Sequence, residues 1–129
     1  MDTTEDKLVQ DAPNKTRGGI HLIERHCFSL KGGATPLSAN AEETLLHEVP
    51  GWSIDRSSMH KLRKTYTLNS FIDAVDFVNS IATIAEFEKH HPDIIISNKT
   101  VTVELYTRSL RGLSENDFIV AAQIDTESM

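Results

Sequence analysis

The sequence predicts an α+β fold, a four-stranded antiparallel sheet with three helices on one face in the order α-β-β-α-β-β-α. Three observations predict it: two stretches of strand-type alternation that each divide at a turn, a long helical stripe between them, and a capped helix at the end. Pro36-Leu37-Ser38 followed by Ala41, Leu45, Leu46 and Val49 predicts a short amphipathic first helix that ends at Pro50-Gly51. Trp52-Ser53-Ile54 is a strand candidate. Leu62, Lys64, Tyr66 and Leu68 alternate with Arg63, Thr65 and Thr67, the period of two of a second strand, and the turn from Asp55 to Met59 joins the two as a hairpin.

The strongest helical signal starts at Asn69 or Ser70, either a good N-cap. It runs through Phe71, Val75, Val78, Ala82 and Ala85 as one apolar stripe, widened by Ile72, Ile81 and Ile84. Pro92 cannot continue it, so His90 and His91 fall in its last turn or at its C-terminal edge. Ile94 to Ile96 predicts the third strand, and Val101, Val103, Leu105 and Thr107 line one face of the fourth, with Asn98-Lys99 as the turn between them. The last helix has Ser114 as N-cap, Asp117 at its third position and Leu113 set to clasp Phe118 as a hydrophobic staple.

The 129 residues, 39% of them apolar, suit one domain with one core. Residues 1–19 are polar, expected to be a mobile acidic tail, and 20–129 are expected to form the domain, with 20–36 an irregular extension. Gly18-Gly19 and Gly32-Gly33 lack the longer pattern of a phosphate loop and punctuate turns. Nineteen acidic against thirteen basic residues give a charge of −6, which argues against nucleic acid as a partner, because phosphate tracking needs clustered Lys and Arg. The short run Lys61, Arg63, Lys64 fits a solvated strand face. Cys27, the single cysteine, cannot form an internal disulfide, so a reducing cytoplasm is the expected setting. Met1 to Asp11 lack the apolar core of a signal peptide, and no apolar run is long enough for a membrane span.

Adjacent His90 and His91 are the most pointed chemical feature, because imidazoles lend and take protons near neutrality. The competing account is that they complement the negative end of the helix dipole. No metal is expected: neighbouring helical residues diverge by about 100°, and no His or Cys pair has ligand spacing.

Glu86-x-x-x-His90-His91-Pro92-Asp93, then Val101-x-Val103-x-Leu105-x-Thr107, then Gly112-Leu113-Ser114-Glu115-x-Asp117 resemble the pterin-4a-carbinolamine dehydratases. The resemblance extends back through Leu62-x-Lys64-x-Tyr66-x-Leu68 to Pro50-Gly51-Trp52 and covers about residues 36–125. It implies conversion of a 4a-hydroxytetrahydropterin to quinonoid dihydropterin and water, without a cofactor. His90 and His91 match the catalytic pair. Glu86, Pro92, Asp93, Thr107 and Asp117 match the substrate-binding motif positions. Expelling the 4a hydroxyl needs a proton donor at oxygen, and the N5 proton needs an acceptor, two tasks for imidazoles.

The family's third histidine follows the strand threonine, and here that position is Arg108. A guanidinium stays protonated, so it donates hydrogen bonds but cannot act as a base. The loss of one proton-exchanging group predicts turnover reduced by about 10²- to 10⁴-fold. An ion pair of Arg108 with Glu104, four residues back on one strand face, would have to span about 13 Å and is not expected. An aromatic usual a few positions beyond His-His-Pro is replaced by the run Ile94 to Asn98, which removes a stacking surface for a pterin. Should His47 or His60 reach the pocket, the set would be complete again.

A divergent group of the family with a broken histidine pattern and an N-terminal extension serves in Rubisco assembly, including in carboxysomes. Arg108, the absent aromatic and residues 20–37 are similar to that group. The resemblance therefore implies a non-catalytic, chaperone-like protein with Rubisco subunits as partners, cytoplasmic and carboxysome-associated; the alternative is a dehydratase with full or residual activity. A transcriptional coactivator role is third, with no supporting motif. Edge strands of such a sheet join subunits in the family, so a homodimer is expected.

Overall fold

The computed structural model describes residues 22–128. The acidic tail, Gly18-Gly19 and the first residues of the extension lie outside the described residues. The elements are α1 (Ala39–Leu46), β1 (Ser53–Asp55), β2 (Lys61–Thr67), α2 (Phe71–Glu88), β3 (Asp93–Ser97), β4 (Thr100–Leu105), a 3-10 turn (Arg108–Leu110) and α3 (Glu115–Glu127). The order α-β-β-α-β-β-α is the predicted one.

The sheet runs β1-β2-β4-β3, antiparallel throughout. Leu62 faces Leu105 and Tyr66 faces Val101 across β2 and β4, while Ile94 faces Val103 across β3 and β4. Alternation then sends Leu62, Tyr66, Val101, Val103 and Leu105 into the core, where all are buried. The opposite face is polar: Thr65 and Thr102 share a hydroxyl hydrogen bond of 2.9 Å, and Arg63 and Lys61 pair with Glu104.

Ser38 caps α1 by accepting from the Ala41 N–H at 3.2 Å. The helix stops at Leu46 rather than at Pro50, because the chain turns through Val49 and Gly51 adopts φ 91°, open to glycine without strain. Ser70, not Asn69, caps α2. The face of α2 matches the expected stripe in part: Ile81 and Ala85 are buried and Val78 and Ile84 pack against the core, but Ala74 and Phe77 take the buried places expected of Phe71 and Ala82. Ala74, Phe77, Ile81 and Ala85 are buried, whereas Phe71 is 54% exposed and Ala82 also faces solvent. Both sets have helical spacing; the packed one meets α3 and β4, and sequence spacing alone did not rank them.

α3 is buried along most of its length, with Phe118 to Ala122 and Ile124 buried. It is enclosed by α2, α1 and the segment at 25–29, so even Asn116 is buried. Asp125 ties its end to the first hairpin, accepting from Trp52 Nε1 at 3.0 Å, Lys64 Nζ at 2.9 Å and the Tyr66 hydroxyl at 2.6 Å.

Candidate active site

The site forms where α2 ends. Lys89 takes the left-handed conformation (φ 56°, ψ 41°), and the N–H groups of Lys89 and His90 both bond the Ala85 carbonyl, which closes the helix and reverses the chain. His90 and His91 therefore follow the cap rather than occupying the last turn. The reversal separates them: His90 turns inward to α3 and His91 stays exposed.

His90 Nε2 meets Asp117 Oδ1 at 2.6 Å. Asp117, wholly buried, accepts on Oδ2 from the Thr107 hydroxyl and the Ser114 backbone N–H, each at 2.9 Å. The Thr107 and Ser114 hydroxyls lie 2.7 Å apart. With the Thr107 proton given to Asp117, the Ser114 hydroxyl donates to Thr107, so the protons of this network run one way. An ionised Asp117 would accept from His90 Nε2–H at the other end of this network and leave Nδ1 outside it.

The Ser114–Asp117 bond is the returning half of the predicted capping box, and Leu113 and Phe118 are both buried as the staple requires. Thr107 faces the core as expected, although it lies just past β4 and pairs as an isolated bridge with Gly112. A Cβ on Gly112 would stand 2.9 Å from Pro36 Cβ, so only glycine lets the return arm of this turn approach so closely.

His91 Nε2 meets Glu86 Oε2 at 2.6 Å on the surface. Arg108 leaves the His90 network alone. Its guanidinium bonds Asp93 at 2.9 Å and the His91 carbonyl at 3.5 Å, and lies 4.7 Å from the centre of the Tyr106 ring. The Tyr106 hydroxyl also donates to Asp93, at 2.9 Å, and this bond raises its pKa above the ordinary phenol value. The partner of Arg108 is thus Asp93, brought alongside by the β3–β4 pairing, and Glu104 is taken by Arg63 and Lys61. Pro92 is half-buried between His91 and this pair.

Of the remaining described histidines, His60 and His47 lie elsewhere and His26 stands on the 25–29 segment. His60 Nδ1 meets the buried Glu42 at 2.7 Å, His47 borders a shallow hollow with Leu46 and Pro50, and His26 meets Glu88. Among the described residues no cluster of metal-ligand type occurs, and no helix is long and apolar enough to cross a membrane.

Sequence reasoning missed one component. The segment 25–29 lies across the ends of α2 and α3, held by Glu88, Asn116 and Gln123. Glu88 accepts from the Cys27 N–H at 2.7 Å and from Gln123 at 2.9 Å, and lies 2.7 Å from His26 Nδ1. Burial pushes its carboxyl up, but these bonds outweigh that and hold it below the ordinary value. Cys27 is pushed up to about 12 by burial and by the Glu88 charge, which leaves it an inert thiol. The signal available was weak: a glutamate on the buried side of α2, and Asn116 and Gln123 on α3.

A family model described as pterin 4 alpha carbinolamine dehydratase matches residues 35–127. The chain belongs to that family. A dehydratase-named relative from Dechloromonas aromatica is 39% identical over 105 residues, covering 81% of this chain and 91% of its own length. Another, from Rickettsia canadensis, is 40% identical over 107 residues, 82% of this chain and 96% of that one; both names are provisional. Among solved structures, a transcriptional coactivator/pterin dehydratase from Brucella melitensis superposes with a TM-score of 0.70 at 23% identity, over 74% of this chain and 100% of that one. A pterin dehydratase-like protein identified as a RuBisCO assembly factor in the alpha-carboxysome gives 0.53 at 22% identity, over 60% and 89%. At these identities the structural likeness speaks for the shared fold.

Proposed function

We propose that this family member binds a 4a-hydroxytetrahydropterin at His90 and His91 and dehydrates it slowly, as a hydro-lyase working with two imidazoles instead of three. The observation that carries this reading is the His90–Asp117–Thr107–Ser114 network. A carboxylate buried at 0% exposure is costly to keep, and here it orients the imidazole of His90, one residue before the exposed His91. One imidazole takes the N5 proton, and the other donates to the departing 4a hydroxyl, which leaves as water. Arg108, turned to Asp93, takes no proton in the cycle. Glu86 orients His91, Asp93 fixes Arg108, and Thr107 and Asp117 fix His90.

Sequence likeness supports this reading over a purely structural role. The Rickettsia canadensis match of 107 residues cannot fit between Pro36 and the end of a 129-residue chain. It therefore takes in part of the segment before Pro36, and that segment no longer separates this chain from dehydratase-named relatives. The test is turnover of 4a-hydroxytetrahydropterin by the wild type and by Arg108→His. The expected result is slow wild-type turnover, raised about 10²- to 10⁴-fold by the histidine. Equal rates for the two proteins overturn the assignment of the deficit to Arg108, and no turnover by either overturns the dehydratase reading.

A second reading, assembly of Rubisco subunits in the cytoplasm or at a carboxysome, is favoured by Arg108 itself, whose fixed charge serves a protein contact as well as it serves poorly for proton exchange. Co-purification of Rubisco from a carbon-fixing host tests it; a Rubisco-free eluate at low salt counts against it. In either role the exposed edge β3, with Ile95 52% and Ile96 39% exposed, suits pairing with a second copy.

A further inference from the structure

We propose that Phe28, carried by the 25–29 strap, is a ligand-contacting residue that supplies the aromatic wall of the pterin site. The inference rests on the pterin-binding reading above and deepens it.

The strap is docked by side chains that recognise its backbone. Asn116 captures both polar groups of Phe28: Oδ1 accepts its N–H at 3.1 Å, and Nδ2 donates to its carbonyl at 2.9 Å. The neighbouring Cys27 N–H is held by Glu88 at 2.7 Å, and the Arg25 carbonyl by Gln123 at 3.1 Å. Backbone bonds on each side of Phe28 fix the direction in which its side chain leaves the chain. Apolar packing does not explain such anchoring, because the ring is 47% exposed and stands outside the hydrophobic core.

Phe28 lines a cavity of about 190 Å³ together with His90, and among its described lining residues it is the one with a phenyl ring. Other aromatic rings near the turn are engaged: Tyr106 lies under Arg108 and Lys61 on the outer sheet face, and Phe87 packs edge-on with His26 at 5.6 Å. The run after His91-Pro92 offers only Ile94, Ile95 and Ile96. A planar heterocycle brought to His90 would find its stacking surface on the strap rather than on β3.

The test uses the full chain and 7,8-dihydrobiopterin as probe. Wild type, Phe28→Ala, Phe28→Leu and Phe28→Tyr are titrated by pterin fluorescence, and bound-probe proton shifts are read by NMR. Expected are Kd values about tenfold weaker for Ala and Leu and within about twofold for Tyr, with an upfield ring-current shift in wild type that is lost in the Leu variant. Binding by the wild type with the same Kd for Phe28→Ala overturns the role of Phe28 and leaves the pterin reading standing. Weaker binding by Phe28→Ala without a ring-current shift in the wild type also overturns it, since the loss then comes from strap displacement. Failure of the wild type to bind overturns both.

Discussion

Removing the Asp117 carboxylate is the sharpest perturbation of this fold. The side chain is fully buried and accepts three bonds, from Ser114 N–H at 2.9 Å, the Thr107 hydroxyl at 2.9 Å and His90 at 2.6 Å. Hydrogen bonds to a charged acceptor contribute about 1.5–3 kcal/mol each. They share one acceptor and do not add, and deleting the carboxylate also removes its desolvation cost, so Asp117→Ala is expected to lose about 3–5 kcal/mol. For a domain of this size that is a fall in Tm of about 15–30 °C. Asp117→Asn keeps one oxygen for Ser114 and Thr107 and turns an amide N–H toward His90, so it costs about 1–2 kcal/mol but forces the His90 proton from Nε2 to Nδ1. Urea midpoints at constant slope measure the first effect, and nitrogen-15 shifts of the His90 ring measure the second. A loss below about 1 kcal/mol for Asp117→Ala would refute the argument. So would a neutral wild-type His90 protonated on Nδ1, because an ionised carboxylate needs a donor facing it.

Two further outcomes follow from the strap and the turn. Because Glu88 is held below its ordinary value, its anchoring of the strap is complete at neutral pH and is lost as pH falls past the unfolded carboxyl value, about 4.3, and through the lowered one. Amide-exchange protection at Cys27 and Phe28, corrected for intrinsic rates, should fall over that acid range and be low at all pH in Glu88→Gln; pH-independent protection in the wild type contradicts this. Gly112→Ala, whose methyl would meet Pro36 Cβ at 2.9 Å, is expected to cost about 1–3 kcal/mol by urea unfolding, and an unchanged midpoint contradicts it.

Local chemistry made most of this fold legible. The capping box at Ser114, the Ser70 cap, the Asn98 turn and the alternation of β2 and β4 each depend on residues close in sequence, and each element formed where those signals stood. The face of α2 was legible only in part: Ile81 and Ala85 are buried as expected, but Ala74 and Phe77 have helical spacing like that of Phe71 and Val75, and only contact with α3 distinguishes them. At the site, His90, Asp117 and Thr107 announced themselves by motif. The ion pair of Arg108 with Asp93 was not legible, because it depends on strand register. The strap was invisible, since its bonds join residues 61 to 98 positions apart.

That invisible component alters what the Arg108 substitution means. If the site were only the turn after α2 together with the turn after β4, replacing a histidine there would dismantle one half of it. The strap adds a further wall that lines a cavity with His90 and is anchored to Glu88 and Asn116, with no bond to Arg108 among these anchors. Ligand affinity and proton transfer then rest on different residues. On the proposed reading, the Arg108→His and Phe28→Ala variants should move turnover and Kd separately. Coupled changes, with Arg108→His tightening the pterin as strongly as it speeds dehydration, would mean that the two walls act as one.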